Sequence, residues 1–465
     1  MTILERCAEY VLSLNDSTIA PEAKTLAKTF FIDCLGCMIA GAHGRPSQIA
    51  MDYCEKTYGT EKRDATILAT GGKKLNVCSA AFINGISSHF HDYDDVLPTL
   101  NGHPSAAVLP AVLALGECEN VSGNAALNAY IVGVEIIDVF ARGLNQEGHI
   151  HYSRGWHSTE SLGIFGATAA AAVLLGLNEQ QLTTAFSIAA SDSSGLQGNF
   201  GTMTKAFHAG RAAEKGILAA SMAQRGFTAN PDIMEMVGGF ALATTGEMSS
   251  EKMIARMDSR KSVFLDPGLT MKPYPCCKCN HNIIDAIYNL MTQYGFTNED
   301  VEKVEVGVQP FFVGCLKYPD AKTMLEGKFS CNYNVAVVLC TGKRPSIASF
   351  EGTDITDANI LATMKKVEMT IDDNIAGGAY ANGGWDTKMT VILKDGRKLD
   401  ERVVYSRGES KNPLSTEEVL EKMRDCMAIT LDPAKSEVVI ECVRSLETLP
   451  SVRVLMATIG SAAKV

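Results

Sequence analysis

Histidine and aspartate side chains are concentrated in one part of the sequence. Seven of the nine histidines lie between residues 89 and 208, and the stretch from His89 to His103 contains three histidines and three aspartates. Imidazole titrates near neutral pH, so a histidine oriented by a carboxylate can act as a general acid or base. The spacing leaves open the alternative that these aspartates only cap helices in a solvated loop.

Two further polar segments precede predicted helices. His157 lies just before an apolar helix predicted to begin near Ser161, and Thr204 and Lys205 lead into the helix that carries His208. Backbone N–H groups and the helix dipole favour an anion at such positions. A carboxylate fits both segments, whereas the spacing of a phosphate-binding P-loop is absent. A core histidine and simple helix caps are the alternative.

Lys272 and Tyr274 lie at a predicted domain boundary, in a segment that also contains two prolines. Clefts between domains are frequent ligand sites, so both side chains are candidates for substrate binding. A plain linker is the alternative.

The cysteines at residues 276–279 raise the question of a metal site. Cys276, Cys279 and His281 could supply three ligands, but no fourth ligand is evident nearby. The 14 cysteines of the chain are spread along its length, which is typical of reduced thiols packed in a core. No Gly-x-Gly-x-x-Gly motif follows a predicted strand. We therefore expect neither a metal nor a cofactor.

The composition excludes several classes of protein. Apolar residues make up 46% of the chain and charged residues 20%, which is typical of a globular protein. The net charge of −11 argues against nucleic acid and anionic membranes as partners. The longest apolar stretch, residues 162–177, is too short to cross a bilayer, and charged residues interrupt the N-terminus where a signal peptide would be apolar. We expect a cytoplasmic protein that does not bind membranes.

Helical patterns dominate the sequence up to about residue 265, and strand patterns appear only later. Val304 to Val308 alternate as a half-buried strand does, and Asp395-Gly396 is a hairpin signal. The sequence predicts a mainly α protein, with a large all-helical domain (residues 1–267 and 409–465) and a smaller α+β domain (residues 268–408). The predicted elements include helices over residues 106–117, 125–142, 161–175, 179–191 and 206–225 and a strand over residues 402–405.

Several motifs, in this order along the chain, resemble signatures of the MmgE/PrpD family. They are His91–Asp95 with Gly102–Ser105, Gly155–His157, Gly201–Lys205, Lys272–Cys276 and Gly327–Ser330. The resemblance extends over nearly the whole chain. It implies a large helical domain, a smaller α+β lid and a homodimer.

The resemblance also implies a polar pocket. Its implied members are Asp92, His103, His157, Lys205 and Lys272. We expect His103 and His157 to form the acid–base pair and Asp92 to orient an imidazole. Both lysines are expected to hold substrate carboxylates and to stabilise negative charge that develops on carbon. Further candidates for substrate binding are Tyr274, Thr204 and Asp95.

The family that this sequence resembles includes 2-methylcitrate dehydratase, cis-aconitate decarboxylase and iminodisuccinate epimerase. We expect a cofactor-independent lyase, specifically a hydro-lyase that abstracts a proton α to a carboxylate of a small di- or tricarboxylate such as 2-methylcitrate. Epimerisation of a dicarboxylate is the first alternative. The resemblance to the decarboxylase is weaker, because the loop after His91 is one residue longer and Val96 stands where that branch has a threonine. A non-catalytic carboxylate-binding protein and a metalloenzyme that uses the Cys276 cluster are the alternatives from other classes.

Overall fold

Two hydrophobic cores organise the chain in its computed structural model, which describes residues 1–145, 150–372, 374–375 and 385–464. The larger core combines helices from the N-terminal part with the last helices of the chain, and we call this part the helical domain. The second core, formed mainly by residues 274–403, adjoins a four-stranded sheet, and we call this part the lid domain. The prediction of a mainly α protein with a smaller α+β part is confirmed.

The N-terminal part of the chain supplies most of the helical domain. Pro21 occupies the first turn of a helix, where its missing N–H leaves no hydrogen bond unmade. The elements are α1 (Ile3–Ser13), α2 (Pro21–Gly41), α3 (Arg45–Tyr58), β1 (Ala65–Thr66), β2 (Lys74–Leu75), α4 (Val77–His89), α5 (Pro104–Cys118), α6 (Gly123–Leu144), α7 (Ile150–Ser153), α8 (Ser158–Ser161), α9 (Gly163–Leu174), α10 (Glu179–Asp192), α11 (Thr204–Gln224), α12 (Phe240–Thr244) and α13 (Ser250–Ser259).

The lid domain contains a mixed sheet in the strand order β4-β3-β5-β6. The strands are β3 (Val301–Val308), β4 (Val367–Ile371), β5 (Thr387–Leu393) and β6 (Lys398–Val403). Strand β3 is parallel to β4 and antiparallel to β5, and β5 and β6 form a hairpin. Gly396, in the predicted turn, has a φ of +88°, which favours glycine. The helices of the lid domain are α14 (His281–Tyr294), α15 (Pro310–Cys315), α16 (Met324–Gly327), α17 (Cys331–Thr341) and α18 (Ala358–Met364).

The C-terminal helices return to the helical domain. They are α19 (Thr416–Thr430), α20 (Pro433–Arg444) and α21 (Val452–Ala462). Ser415 and Glu418 form a capping box at the start of α19. Lys422 of α19 pairs with Asp33 of α2 at 2.6 Å and donates to the backbone carbonyl of Tyr93 at 2.8 Å. The C-terminal part of the chain therefore supports the loop that follows α4.

Small residues allow α11 to lie very close to its neighbours. A Cβ atom added to Gly210 would lie 2.4 Å from the carbonyl oxygen of Phe82 in α4, and one added to Gly216 would lie 2.4 Å from Cβ of Ala167 in α9. This close packing fixes α11 against α4, and these two helices carry Lys205 and His89.

Two predicted elements differ from the structure. The helix predicted over residues 161–175 is interrupted at Leu162, which separates α8 from α9. The strand predicted over residues 402–405 begins earlier, at Lys398, because the turn at Gly396 leads almost directly into β6. Helix α6 is long and apolar enough to cross a membrane, but most of it is buried in the helical domain, as is common for core helices.

Candidate active site

The loop between α4 and α5 forms the centre of the site. His89 is the last residue of α4, and His103 directly precedes Pro104, the first residue of α5. Within the loop, Asp92 has a φ of +53°, a left-handed conformation that is uncommon for residues other than glycine. After this turn the two carboxylates point in different directions: that of Asp92 contacts Lys205, and that of Asp94 contacts His89.

Asp92 lies between two ammonium groups. Nζ of Lys205 is 2.9 Å from one of its carboxylate oxygens, and Lys272 contacts the other and also donates to the backbone carbonyl of Asp92 at 2.8 Å. Burial alone would raise the pKa of Asp92, but the two lysines outweigh this effect and hold it well below its usual value. The site therefore contains a buried carboxylate that stays ionised.

Asp94, rather than Asp92, connects the imidazoles. Its carboxylate lies 2.8 Å from Nδ1 of His89 and 3.1 Å from Nδ1 of His103, and the latter nitrogen is also 2.9 Å from the backbone carbonyl of Asp95. These acceptors assign the ring proton of both histidines to Nδ1. Nε2 of His103 lies 3.7 Å from the Asp92 carboxylate, so Asp94 makes the shorter contacts with the imidazoles, and the orienting role of Asp92 stays a prediction.

The histidines of the site are neutral near pH 7. Burial lowers the pKa of His89 to about 3, although the Asp94 carboxylate opposes this shift. Burial also lowers the pKa of His103 and, more strongly, that of His157. A neutral imidazole with its proton on Nδ1 leaves Nε2 as a base, and this is the state of His103.

His157 joins the cluster from the start of α8. Its ring centroid is 5.8 Å from that of His89 and 6.4 Å from that of His103. Its Nδ1 lies 2.8 Å from Nδ1 of His208 in α11, and Nε2 of His208 lies 4.0 Å from Glu160. The sequence indicated no role for His208, because the spacing of 51 residues carries no signal of this contact.

The lid domain closes the site. Lys328, which follows α16, and Phe329 line a cavity of about 20 Å³ together with His89, Asp92 and Lys205. Burial lowers the pKa of Lys328 to about 7. A cavity of this volume has room for about one water molecule, which is too little for a substrate in this conformation. Sequence reasoning noted the motif that contains Lys328 but gave this lysine no role.

The structure places three predicted substrate-binding residues away from the cavity. The hydroxyl of Tyr274 donates to Asp285 within the lid core. Thr204 lines an apolar groove on another side of α11. Asp95 is buried and accepts a hydrogen bond from the hydroxyl of Ser105 at 2.6 Å. None of the three lines the described cavity; Lys272, the fourth predicted substrate-binding residue, does not line it either but contacts Asp92, which does.

Two overlapping groups of side chains in the described part of the chain have the spacing of metal ligands. They are His89 with His103 and His157, and His89 with Asp92, Asp94 and His103. The ammonium groups of Lys205 and Lys272 disfavour binding of a divalent cation next to Asp92, because they repel it and already neutralise this carboxylate. Among the described residues no such group forms at Cys276, Cys279 and His281.

Comparison with known proteins gives matches along most of the chain. Residues 5–252 match the MmgE/PrpD N-terminal domain, and residues 274–448 match the MmgE/PrpD C-terminal domain. Cis-aconitate decarboxylase of Homo sapiens is 27% identical over 466 residues, covering 98% of this chain and 94% of that protein. Cis-aconitate decarboxylase of Mus musculus is 27% identical over 450 residues (92% and 87%), and that of Aspergillus terreus is 24% identical over 486 residues (99% and 96%).

Proposed function

The chain belongs to the MmgE/PrpD family and is a lyase, and we propose that it is a hydro-lyase acting on a small di- or tricarboxylate such as 2-methylcitrate. We propose further that the reaction needs no cofactor and begins with removal of a proton α to a carboxylate. Two lysines, a neutral histidine base and a second histidine supply the groups that this chemistry requires.

The convergence of cations and a base at one place is the observation that carries the proposal. Nε2 of His103 lies 3.7 Å from the carboxylate of Asp92, which Lys205 and Lys272 contact. A substrate carboxylate that reaches these two ammonium groups brings its α-carbon next to His103. Residues of the lid domain line this cavity, and a small, largely buried site strengthens the electrostatic stabilisation of charge on the substrate.

Dehydration follows from these groups in two proton transfers. Nε2 of His103 takes the α-proton, and the electron pair moves toward the carboxylate, where the ammonium groups stabilise the added charge. The pair then forms the C=C bond while the C–O bond breaks. Burial keeps His157 neutral near pH 7, so it must first gain a proton; it then donates that proton to the departing hydroxide, which leaves as water.

Decarboxylation of cis-aconitate is the second candidate. The relatives reported above carry this activity in their names and cover almost the whole chain. In that reaction the C–C bond to the carboxylate breaks, carbon dioxide leaves, and an imidazolium returns a proton to carbon. We place it second because Val96, which stands at the position of the expected threonine, is buried in the lid core and offers no hydroxyl.

A single labelling experiment separates the candidates. The enzyme is incubated with 2-methylcitrate, citrate, cis-aconitate and iminodisuccinate in deuterated water, and the products are followed by NMR. We expect formation of an alkene with loss of water from a hydroxy acid. Release of carbon dioxide from cis-aconitate would favour the second candidate, and deuterium entering α to a carboxylate without loss of water would favour an epimerase. A complete lack of turnover and exchange would contradict all three.

Two variants test the assignment of the base and the cation. Lys205→Ala and His103→Ala are expected to lose turnover while their circular dichroism stays close to that of the wild type. If the protein only binds carboxylates, the wild type would show no turnover, and the variants would differ from it only in ligand affinity. Full turnover by Lys205→Ala would reject its role in stabilising charge.

A further inference from the structure

Lys328 differs from the other buried lysines of the described chain. Six lysines are buried, and five of them form an ion pair with a carboxylate: Lys205, Lys215, Lys272, Lys278 and Lys422. Lys328 forms no ion pair with a described residue; its Nζ donates to the backbone carbonyl of Phe90 at 3.0 Å. A buried ammonium that lacks a counter-ion is costly, so its retention points to an anion that arrives from outside.

Lys328 lines the cavity in which we propose that the substrate binds. It lines the same closed cavity as Asp92 and Lys205, but it comes from the lid domain, whereas Lys205 is in the helical domain. The rings of Phe90 and Phe350 lie 5.1 and 5.8 Å from its Nζ and shield it from water. A molecule with two separated carboxylates could therefore contact both domains at once.

We propose that Lys328 binds a second carboxylate of the substrate, distinct from the one that Lys205 and Lys272 hold. The inference rests on the proposed function and deepens it, because it assigns the residue that holds the second carboxylate of the di- or tricarboxylate. Substrate binding would then also stabilise the closed position of the lid, because the second carboxylate contacts Lys328 of the lid domain while the first contacts the helical domain.

The charges in the site agree with this assignment. The ammonium groups of Lys205 and Lys272 are balanced by the carboxylates of Asp92 and Asp94, which both stay ionised. The histidines of the site are neutral, as described above. Lys328, once protonated, therefore supplies the net positive charge that balances a multiply charged anion, and because its pKa is about 7 this proton can be gained on binding.

Calorimetry with unreactive ligands tests the proposal without relying on turnover. Propane-1,2,3-tricarboxylate and glutarate carry two or more carboxylates, and butyrate carries one. Lys328→Gln is expected to weaken binding of the first two by roughly 10- to 100-fold, the effect of losing one charge-assisted hydrogen bond, and to leave butyrate almost unchanged. Lys328→Arg keeps the charge and should retain most of the affinity. Unchanged affinity of Lys328→Gln for propane-1,2,3-tricarboxylate would overturn the proposal.

Lys317 provides a matched control on the lid. Its Nζ donates to the backbone carbonyls of Gln197 and Gly198, so it also joins the lid to the helical domain, but it does not line the cavity. Lys317→Gln should keep the wild-type preference for polycarboxylates. An equal loss in both variants would show that lid closure, rather than anion binding, explains the effect and would overturn the proposal.

Proton uptake by the wild type gives a second measurement that needs no variant to fold. The groups that face Lys328 are Asp92, Lys205, Lys272 and Cys276, with the neutral histidines beyond them. An anion at Lys328 favours its charged form, so binding of propane-1,2,3-tricarboxylate at pH 8 should take up protons, up to one per site. Comparison of binding enthalpies in two buffers measures this number. Absence of uptake in the wild type, or full uptake in Lys328→Arg, would overturn the proposal.

The outcomes also separate this inference from the proposed function. Lys328-dependent binding of polycarboxylates without turnover of any substrate would support the inference and count against the hydro-lyase. Failure of the wild type to bind any polycarboxylate would overturn the inference, whatever reaction the enzyme performs.

Discussion

The Nδ1 atoms of His157 and His208 lie 2.8 Å apart, so one of these two buried imidazoles donates a hydrogen bond to the other. When Nε2 of His157 gains a proton, its Nδ1 proton can pass to His208. His157 is then neutral again with a proton on Nε2, and the positive charge resides on His208, 4.0 Å from the carboxylate of Glu160. The pair can therefore hold a proton away from the substrate between two steps of a reaction.

Replacing His208 should reduce turnover more than binding. His208→Phe keeps a ring of similar size but removes the partner of His157, and we expect kcat to fall by about 10- to 100-fold, at the lower end of the usual contribution of acid–base catalysis. His208→Asn places an amide near the former Nδ1 and should recover part of the loss. Steady-state kinetics, with calorimetry of propane-1,2,3-tricarboxylate as the control for binding, measure both effects. Full kcat in His208→Phe would contradict the relay.

Asp94 should be more important for catalysis than the adjacent Asp95. Asp94→Asn has one carbonyl oxygen in place of two carboxylate oxygens, so Nδ1–H of His89 or of His103 loses its acceptor on this side chain, and the negative charge between the rings is lost. We expect kcat to fall by roughly 10²- to 10⁴-fold. Asp95→Asn is the matched control: burial raises the pKa of Asp95 well above its usual value, and an amide resembles the neutral acid. Equal losses in the two variants would contradict the assignment of Asp94.

Residue types and motif order pointed to several stretches that lie together in the structure, while the roles predicted for their residues stay predictions. Asp92, His103, Lys205 and Lys272 converge as the sequence predicts. The identity of the carboxylate that orients the imidazoles was not predictable, because it depends on the left-handed turn at Asp92. In the sequence, Asp92 and Asp94 are equivalent candidates, and only the backbone conformation of the loop decides which side chain points toward the imidazoles.

The side chains of neighbouring residues in one motif also point to different places, because of helix geometry. Thr204 and Lys205 open the same helix, and successive helical residues point about 100° apart, so Lys205 reaches the cavity and Thr204 faces the groove. Lys328 was given no role because its motif, Gly327–Ser330, does not show whether the lysine is buried or exposed. Its burial without an ion-pair partner among the described residues becomes visible only when the lid is packed on the helical domain.

His151 should make the folded protein less stable in acid. Burial lowers its pKa from 6.5 to about 3, so below pH 6.5 the unfolded chain binds a proton here that the folded protein excludes. The free energy of unfolding therefore falls with decreasing pH, and this group contributes about 1.4 kcal/mol per pH unit. His151→Gln cannot titrate and can still bond to the hydroxyl of Ser161. Urea denaturation at pH 7, 6 and 5 should show that the free energy of unfolding falls less with decreasing pH in the variant than in the wild type. An equal fall in both proteins would contradict this prediction.

Gly210 should be intolerant even of a methyl group. In Gly210→Ala the new Cβ would lie 2.4 Å from the carbonyl oxygen of Phe82, so α11 and α4 must move apart. We expect the free energy of unfolding to fall by about 1–3 kcal/mol, although alanine favours a helix more than glycine does. Gly314 in α15 is the matched control, since no atom of the described residues beyond its own helix backbone and chain neighbours lies within 4 Å of its added Cβ; Gly314→Ala should therefore be neutral or slightly stabilising. Denaturant titrations of both variants at one protein concentration test the difference. Equal stability of Gly210→Ala and the wild type would mean that the α4–α11 contact is looser than the structure shows.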